Sequence, residues 1–207
     1  MWSNIYPTAL GYTVRFGILR EAMVGLNGLF VGLGEILGGV FLGLMGTRLN
    51  AFGKDGALLG GLVVHLLACY MAFINTPVSA SRGMTEYPAF VGPSAYIALT
   101  TSLLFGLGDV IWCAQLMAYL GEVYRYEVVS VFTVYHSWMA IAAASLFGLS
   151  TVISLPYLLL IMVITAVISF AGFCVAEWEF LARQRFLLHL RQMQKKAEEG
   201  SQITLAD

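Results

Sequence analysis

The sequence predicts an all-α, multi-pass transmembrane helical bundle, and three observations carry that prediction. Of its 207 residues, 59% are hydrophobic and only 11% charged, against about 25% charged in an ordinary soluble domain. The mean hydropathy is +0.80, and the apolar residues come in continuous runs. Such continuity marks an integral membrane protein rather than a large buried core. None of the runs alternates apolar and polar residues over the roughly ten positions of a membrane-spanning β-strand.

A spanning helix needs about 20 apolar residues to cross about 30 Å of hydrocarbon. Five segments reach that length: 23–46, 57–75, 94–121, 128–153 and 155–176. The first stretch, MWSNIYPTALGYTVRFGIL, is too short to span and is interrupted by Pro7 and Arg15. No charged segment precedes an apolar core there, so it does not have the form of a secretory signal. The chain therefore divides into a partial or interfacial helix at 1–19, a five-helix transmembrane domain at 20–176, and a basic tail at 177–207.

Lysine and arginine set the expected orientation. With the C-terminal tail cytoplasmic, the inner side holds Arg48, Lys54, Arg125, Arg183, Arg185, Arg191, Lys195 and Lys196, and the outer side only Arg15, Arg20 and Arg82. That excess favours the tail inside. The longest loop, 76–93, then faces outward or into a lumen. Trp2, Tyr6, Tyr87, Tyr124, Tyr126, Tyr157 and Trp178 fall near the span ends, where amphipathic rings settle. Asn75 is followed by Thr-Pro, and no asparagine lies in a usable glycosylation sequon. Cys69, Cys113 and Cys174 all fall in apolar runs and read as small hydrophobes, without a disulfide framework. A net charge of -1 gives no reason to expect nucleic acid as a partner.

Two acids stand out. In GLNGLFVGLGEILGGVFLGLMG, residues 25–46, Glu35 is the single charge. Gly28, Gly32, Glu35, Gly39, Gly43 and Gly46 recur at spacings of three and four, so they share one helix face that is nearly bare except for the carboxylate. Small residues in that pattern let another helix approach closely, and the face is expected to pack helices. In SLLFGLGDVIWCAQLMAYLG, residues 102–121, Ser102, Gly106, Asp109 and Cys113 form a similar small, polar face, and Gln115 lies on a flank with Gly108, Trp112 and Tyr119. Hydrocarbon disfavours a facing charge by several kcal/mol. Both acids are therefore expected to face protein or a cavity. His65 in the second span and His136 in the fourth, beside Tyr135 and Trp138, are the other polar groups expected at membrane depth.

Each has two readings. Glu35 and Asp109 either bridge helices through a protonated carboxyl or couple to a proton or cation; the histidines are packed polar residues or proton carriers; Gln115 pairs helices or touches a ligand. No Cys-x-x-Cys, His-x-x-x-His or Gly-x-Ser-x-Gly occurs. Enzyme chemistry is the least supported class, and no catalytic residue, metal or cofactor is expected. In the tail, Phe180, Leu187 and Leu188 line up near Leu181 and Gln184 while the basic residues supply positive charge, which suits a helix at the inner leaflet. The final GSQITLAD is expected to be disordered.

Taken in order, GLNGLFVGLGEILGGVFLGLMG, GLGDVIWCAQLMAYLG and AEWEF resemble the UNC-ninety-three-like membrane proteins of the major facilitator superfamily, over residues 1 to about 180. The resemblance implies a twelve-helix fold of two six-helix halves with a substrate path between them and both termini cytoplasmic. This chain then corresponds to the C-terminal half, its five spans being the last five helices and residues 1–19 the outer end of the seventh. The loop GTRLNAFGKDG, 46–56, sits where the superfamily has a basic cytoplasmic loop. The partners implied are the lipid bilayer and either the missing N-terminal half or another membrane protein. Two functions follow: solute transport, with Glu35 or Asp109 taking up and releasing a proton or cation, or regulation of an ion channel or escort of membrane receptors, with the small-residue faces docking a partner's helices.

Overall fold

The computed structural model describes the backbone of residues 2–204 and the side chains of 5–46 and 53–195. The side chains of Trp2, Arg48 and Lys196, which enter the expectations above, lie outside the described residues, as do residues 205–207. The chain forms α1 (Trp2–Tyr12), a 3-10 segment (Val14–Leu19), α2 (Arg20–Phe52), α3 (Lys54–Asn75), α4 (Ala95–Val123), α5 (Val128–Ser150) and α6 (Leu155–Thr204). Five of these helices are long and apolar enough to cross a membrane, as the sequence predicts. Helix α6 continues to Thr204, five residues into the stretch expected to be disordered. The chain divides into two compact units, Met1–Phe170 and Ala171–Asp207, and each is described by itself.

Of the two interruptions read in the sequence, the structure breaks at Arg15 and not at Pro7. Pro7 sits inside α1, and the chain breaks after Tyr12 instead, where Gly17 takes φ 59° and ψ −132°. Glycine adopts that left-handed backbone without a Cβ penalty. A break in a membrane helix leaves backbone groups that need partners. Here they find them in the 76–94 loop: Val14 N–H donates to the Thr85 carbonyl at 3.1 Å, and Thr85 N–H donates to the Tyr12 carbonyl at 2.9 Å. The Thr13 hydroxyl caps inward, donating to the Ala9 carbonyl at 2.8 Å.

The same loop holds other helix ends. Ser94 N–H donates to Asn75 Oδ1 at 2.8 Å while Asn75 Nδ2 donates back to the Ser94 carbonyl at 3.0 Å, so one fully buried side chain fixes both ends of the α3–α4 connection. Leu155 N–H donates to the Val78 carbonyl at 3.1 Å, and the Ser81 hydroxyl to the Ile153 carbonyl at 3.0 Å. At the opposite end of the bundle, Lys54 and Glu122 form an ion pair between the start of α3 and the end of α4, with the Lys54 ammonium 5.8 Å from the Tyr119 ring centre.

Between these ends α2 and α4 press together through glycine. A Cβ on Gly34 would collide with the Leu103 carbonyl and lie 2.8 Å from the Leu107 nitrogen; one on Gly106 would collide with the Val31 carbonyl, 3.0 Å from its Cα. Gly38 meets Val110 and Leu107, and on α3 Gly61 meets Ile111 and Trp112. Such backbone-to-backbone approach is how helices gain dispersion contact where lipid removes the hydrophobic drive. The core beside it stacks Tyr6 edge-on to Phe105 at 5.5 Å, and the Tyr6 hydroxyl donates to the Ala98 carbonyl at 3.1 Å. Leu59, Val63, Leu67 and Tyr70, all exposed, form one outward stripe on α3, as a helix facing lipid should.

Candidate functional site

The α2–α4 register decides where the acids lie. With α3 running back between them, α2 and α4 point the same way. Asn27 meets Ser102, 75 positions later, through a 2.8 Å hydrogen bond. Val31 meets Gly106 at the same offset, and Gly38 meets Leu107 and Val110. That register puts Glu35 at the level of Asp109.

Both open into one cavity of about 750 Å³. Helix α2 contributes Asn27, Gly28, Val31 and Glu35; α3 contributes His65; α4 contributes Asp109, Trp112, Cys113 and Leu116. From α5 come Tyr135, Met139, Ala140 and Ala143, and from α6 Met162, Thr165, Ala166 and Ser169. On α2, α4, α5 and α6 the lining positions are one, three or four residues apart, so each of these helices gives the cavity one face. Asp109 is half-buried and Glu35 more open. His65 is steadied by a 3.2 Å contact of Nδ1 with the Gly61 carbonyl and by an edge-on stack against Phe105 at 6.1 Å; a Cβ at Gly108 would run into its ring. Among the described residues no three His, Cys, Asp or Glu side chains gather as a metal site would need.

Of the polar residues singled out in the sequence, Glu35, Asp109 and His65 come together here. Gln115 and His136 do not line the cavity; His136 is exposed and stacks edge-on against the neighbouring Tyr135 at 5.2 Å. The glycine face also sits differently from the packing surface inside the chain. At Gly28, Gly32, Gly39, Gly43 and Gly46 an added Cβ would meet nothing within 4 Å, whereas the close approach uses Gly34 and Gly38. At 100° per residue the two faces are on the order of 100° apart around α2.

Sequence reasoning missed Asn27. The available signal was a lone amide in an apolar run, eight residues before Glu35 and about 80° from it around α2.

The family model described as "Ion channel regulatory protein UNC-93" matches residues 1–175. The chain belongs to the UNC-93 family. This UNC-93 family chain is 37% identical over 188 residues to the "UNC93-like protein MFSD11" of Xenopus laevis, and equally so to that of Xenopus tropicalis. Each alignment covers 89% of the chain and 42% of the relative, so the UNC-93 family chain spans less than half the length of these curated relatives. No solved structure matches it.

Proposed function

We propose that this UNC-93 family chain lines a solute path through the membrane, with Glu35 and Asp109 as the groups that take up a proton or bind a cation in one conformation and release it in the other. The observation that carries the reading is the shared cavity: two lone acids on different helices, brought level by glycine packing, open into the same space of about 750 Å³. A helix-bridging role alone would need no such volume.

The test is proton movement into proteoliposomes of the full-length gene product, driven by an imposed pH gradient and read by a trapped pH-sensitive dye. Asp109→Asn and Glu35→Gln are each expected to slow the flux by about tenfold or more, equivalent to about 1.4 kcal/mol. Unchanged flux in both variants would remove these acids from coupling.

A second reading, regulation of a channel or escort of a receptor, draws on the family description and on the open glycines of α2. Cross-linking from Gly32→Cys and Gly39→Cys separates it. Capture of a distinct membrane protein supports docking, and capture of the gene product's own residues alone counts against it.

The tail fits a basic helix resting on anionic lipid, with the C-terminus cytoplasmic. Supporting this are exposed Phe186, Leu190 and Met193 on one side and exposed Arg185, Arg191 and Lys195 turned away from them. Replacing Arg183, Arg185 and Arg191 with glutamine is expected to weaken binding of a 178–204 peptide to phosphatidylserine vesicles about 100-fold, at about 1 kcal/mol for each charge. Equal binding of both peptides would exclude the charge-driven role.

A further inference from the structure

We propose that the cavity takes a small organic cation that also carries a hydrogen-bond acceptor, and that Asn27 selects for the acceptor. The proposal rests on the acid-lined path described above and adds to it a ligand class and a specificity-determining residue.

Asn27 is 4% exposed, and it lines the cavity. Its Oδ1 is taken: the Ser102 hydroxyl donates to it at 2.8 Å. Ser102 has one proton and a competing acceptor, the Ala98 carbonyl at 3.0 Å. That carbonyl already receives the Tyr6 hydroxyl at 3.1 Å and lies in the α4 ladder, which leaves the Ser102 proton to Asn27. With Oδ1 held at Ser102, the orientation of the amide follows from the network. Its Nδ2 then keeps two N–H donors, and among the described residues no acceptor meets them. These donors reach the cavity rather than being sealed in the protein, so a guest that supplies an acceptor at this wall replaces their hydration, while one that covers them without an acceptor leaves them unpaired at a cost.

The rest of the cavity specifies charge. Glu35 and Asp109 line it, and among the described residues no Lys or Arg does. Trp112 and Tyr135 add aromatic rings of the kind that attract cations. Asn27 and Glu35 both line the cavity from α2, about 80° apart around the helix and roughly 12 Å along its axis. Allowing about 3 Å for the contact at each end, cation and acceptor are separated by about the length of a five-methylene chain.

Three probes test this by thermal shift on the purified full-length gene product: 6-aminohexanamide, hexylamine and hexanamide. The expected result is binding of 6-aminohexanamide three- to tenfold tighter than hexylamine, the range of one net hydrogen bond, with hexanamide inert. Asn27→Leu should erase that preference while hexylamine still binds. Asn27→Asp, which replaces the donor with a third carboxylate and keeps the shape, should erase it and tighten both amines; it serves if the leucine variant does not fold. Ser102→Ala, which releases the amide from its fixed orientation, should reduce the preference.

Two amines bound equally by the unaltered protein, or a preference that survives loss of the Asn27 donor, would overturn the selection role while leaving the acid-lined cavity standing. Binding of neither amine would overturn this proposal together with the cation-binding reading beneath it.

Discussion

Alanine at Gly106 or Gly34 is expected to lower the thermal unfolding temperature in detergent by several degrees, while alanine at Gly39 or Gly43 leaves it unchanged or slightly raised. The added methyl at Gly106 meets the Val31 backbone and at Gly34 the Leu103 and Leu107 backbone. Backbone cannot rotate away as a side chain can, so the helices must part. Forced overpacking costs about 1–3 kcal/mol, which at this chain length is roughly 2–4 °C for each kcal/mol. Parting α2 from α4 also shifts Glu35 relative to Asp109, so the two close-packed variants should lose proton flux as well. At Gly39 and Gly43 the methyl meets nothing within 4 Å, and alanine is the better helix former. Equal destabilisation at all four positions would mean that α2 and α4 do not meet through this face.

Asn75→Leu is expected to be the second damaging change. The side chain is fully buried and pairs with both backbone groups of Ser94, at 2.8 and 3.0 Å. Leucine has similar bulk but leaves the Ser94 N–H without a partner, at about 1–3 kcal/mol, and leaves the Ser94 carbonyl only its bond from the Ala98 N–H. The 76–94 loop also holds the Thr85 pairing to the break after Tyr12 and the Val78 pairing to the start of α6. Releasing its anchor should therefore open the loop to protease at concentrations that spare the unaltered protein, along with a lower unfolding temperature. Asn75→Asp, which still accepts from the Ser94 N–H, should fall between the two.

Composition and run length made the five spans legible, because lipid imposes a length that any apolar run either meets or does not. The break in the first helix was harder to read. Of the two interrupters named, Pro7 is the stronger breaker on paper, yet the helix opens beside Arg15, where Thr85 pairs with the Tyr12 carbonyl and the Val14 N–H. Helix α2 posed a different problem: it carries small residues on two faces. Periodicity singled out Gly28, Gly32, Gly39, Gly43 and Gly46, but which face meets α4 is decided by Gly106, more than sixty residues away.

The acids were visible as isolated charges, and their common cavity was not, since it depends on the α2–α4 register. Asn27 was passed over because a single amide in an apolar run reads as helix pairing until its Ser102 partner fixes which end of it faces the cavity. Gln115 and His136 look equally promising in the sequence and fall outside the cavity, a matter of helix rotation that spacing alone does not set.

The most direct measurement is thiol accessibility in a cysteine-free protein held in lipid. Single cysteines at Glu35 and Asp109 are compared with one at Val63, on the apolar outward stripe of α3. A membrane-impermeant cationic thiol reagent should modify the first two and leave the third intact, since water reaches the cavity and not the hydrocarbon. Protection of positions 35 and 109 to the same degree as 63 would place both acids against acyl chains and contradict the account.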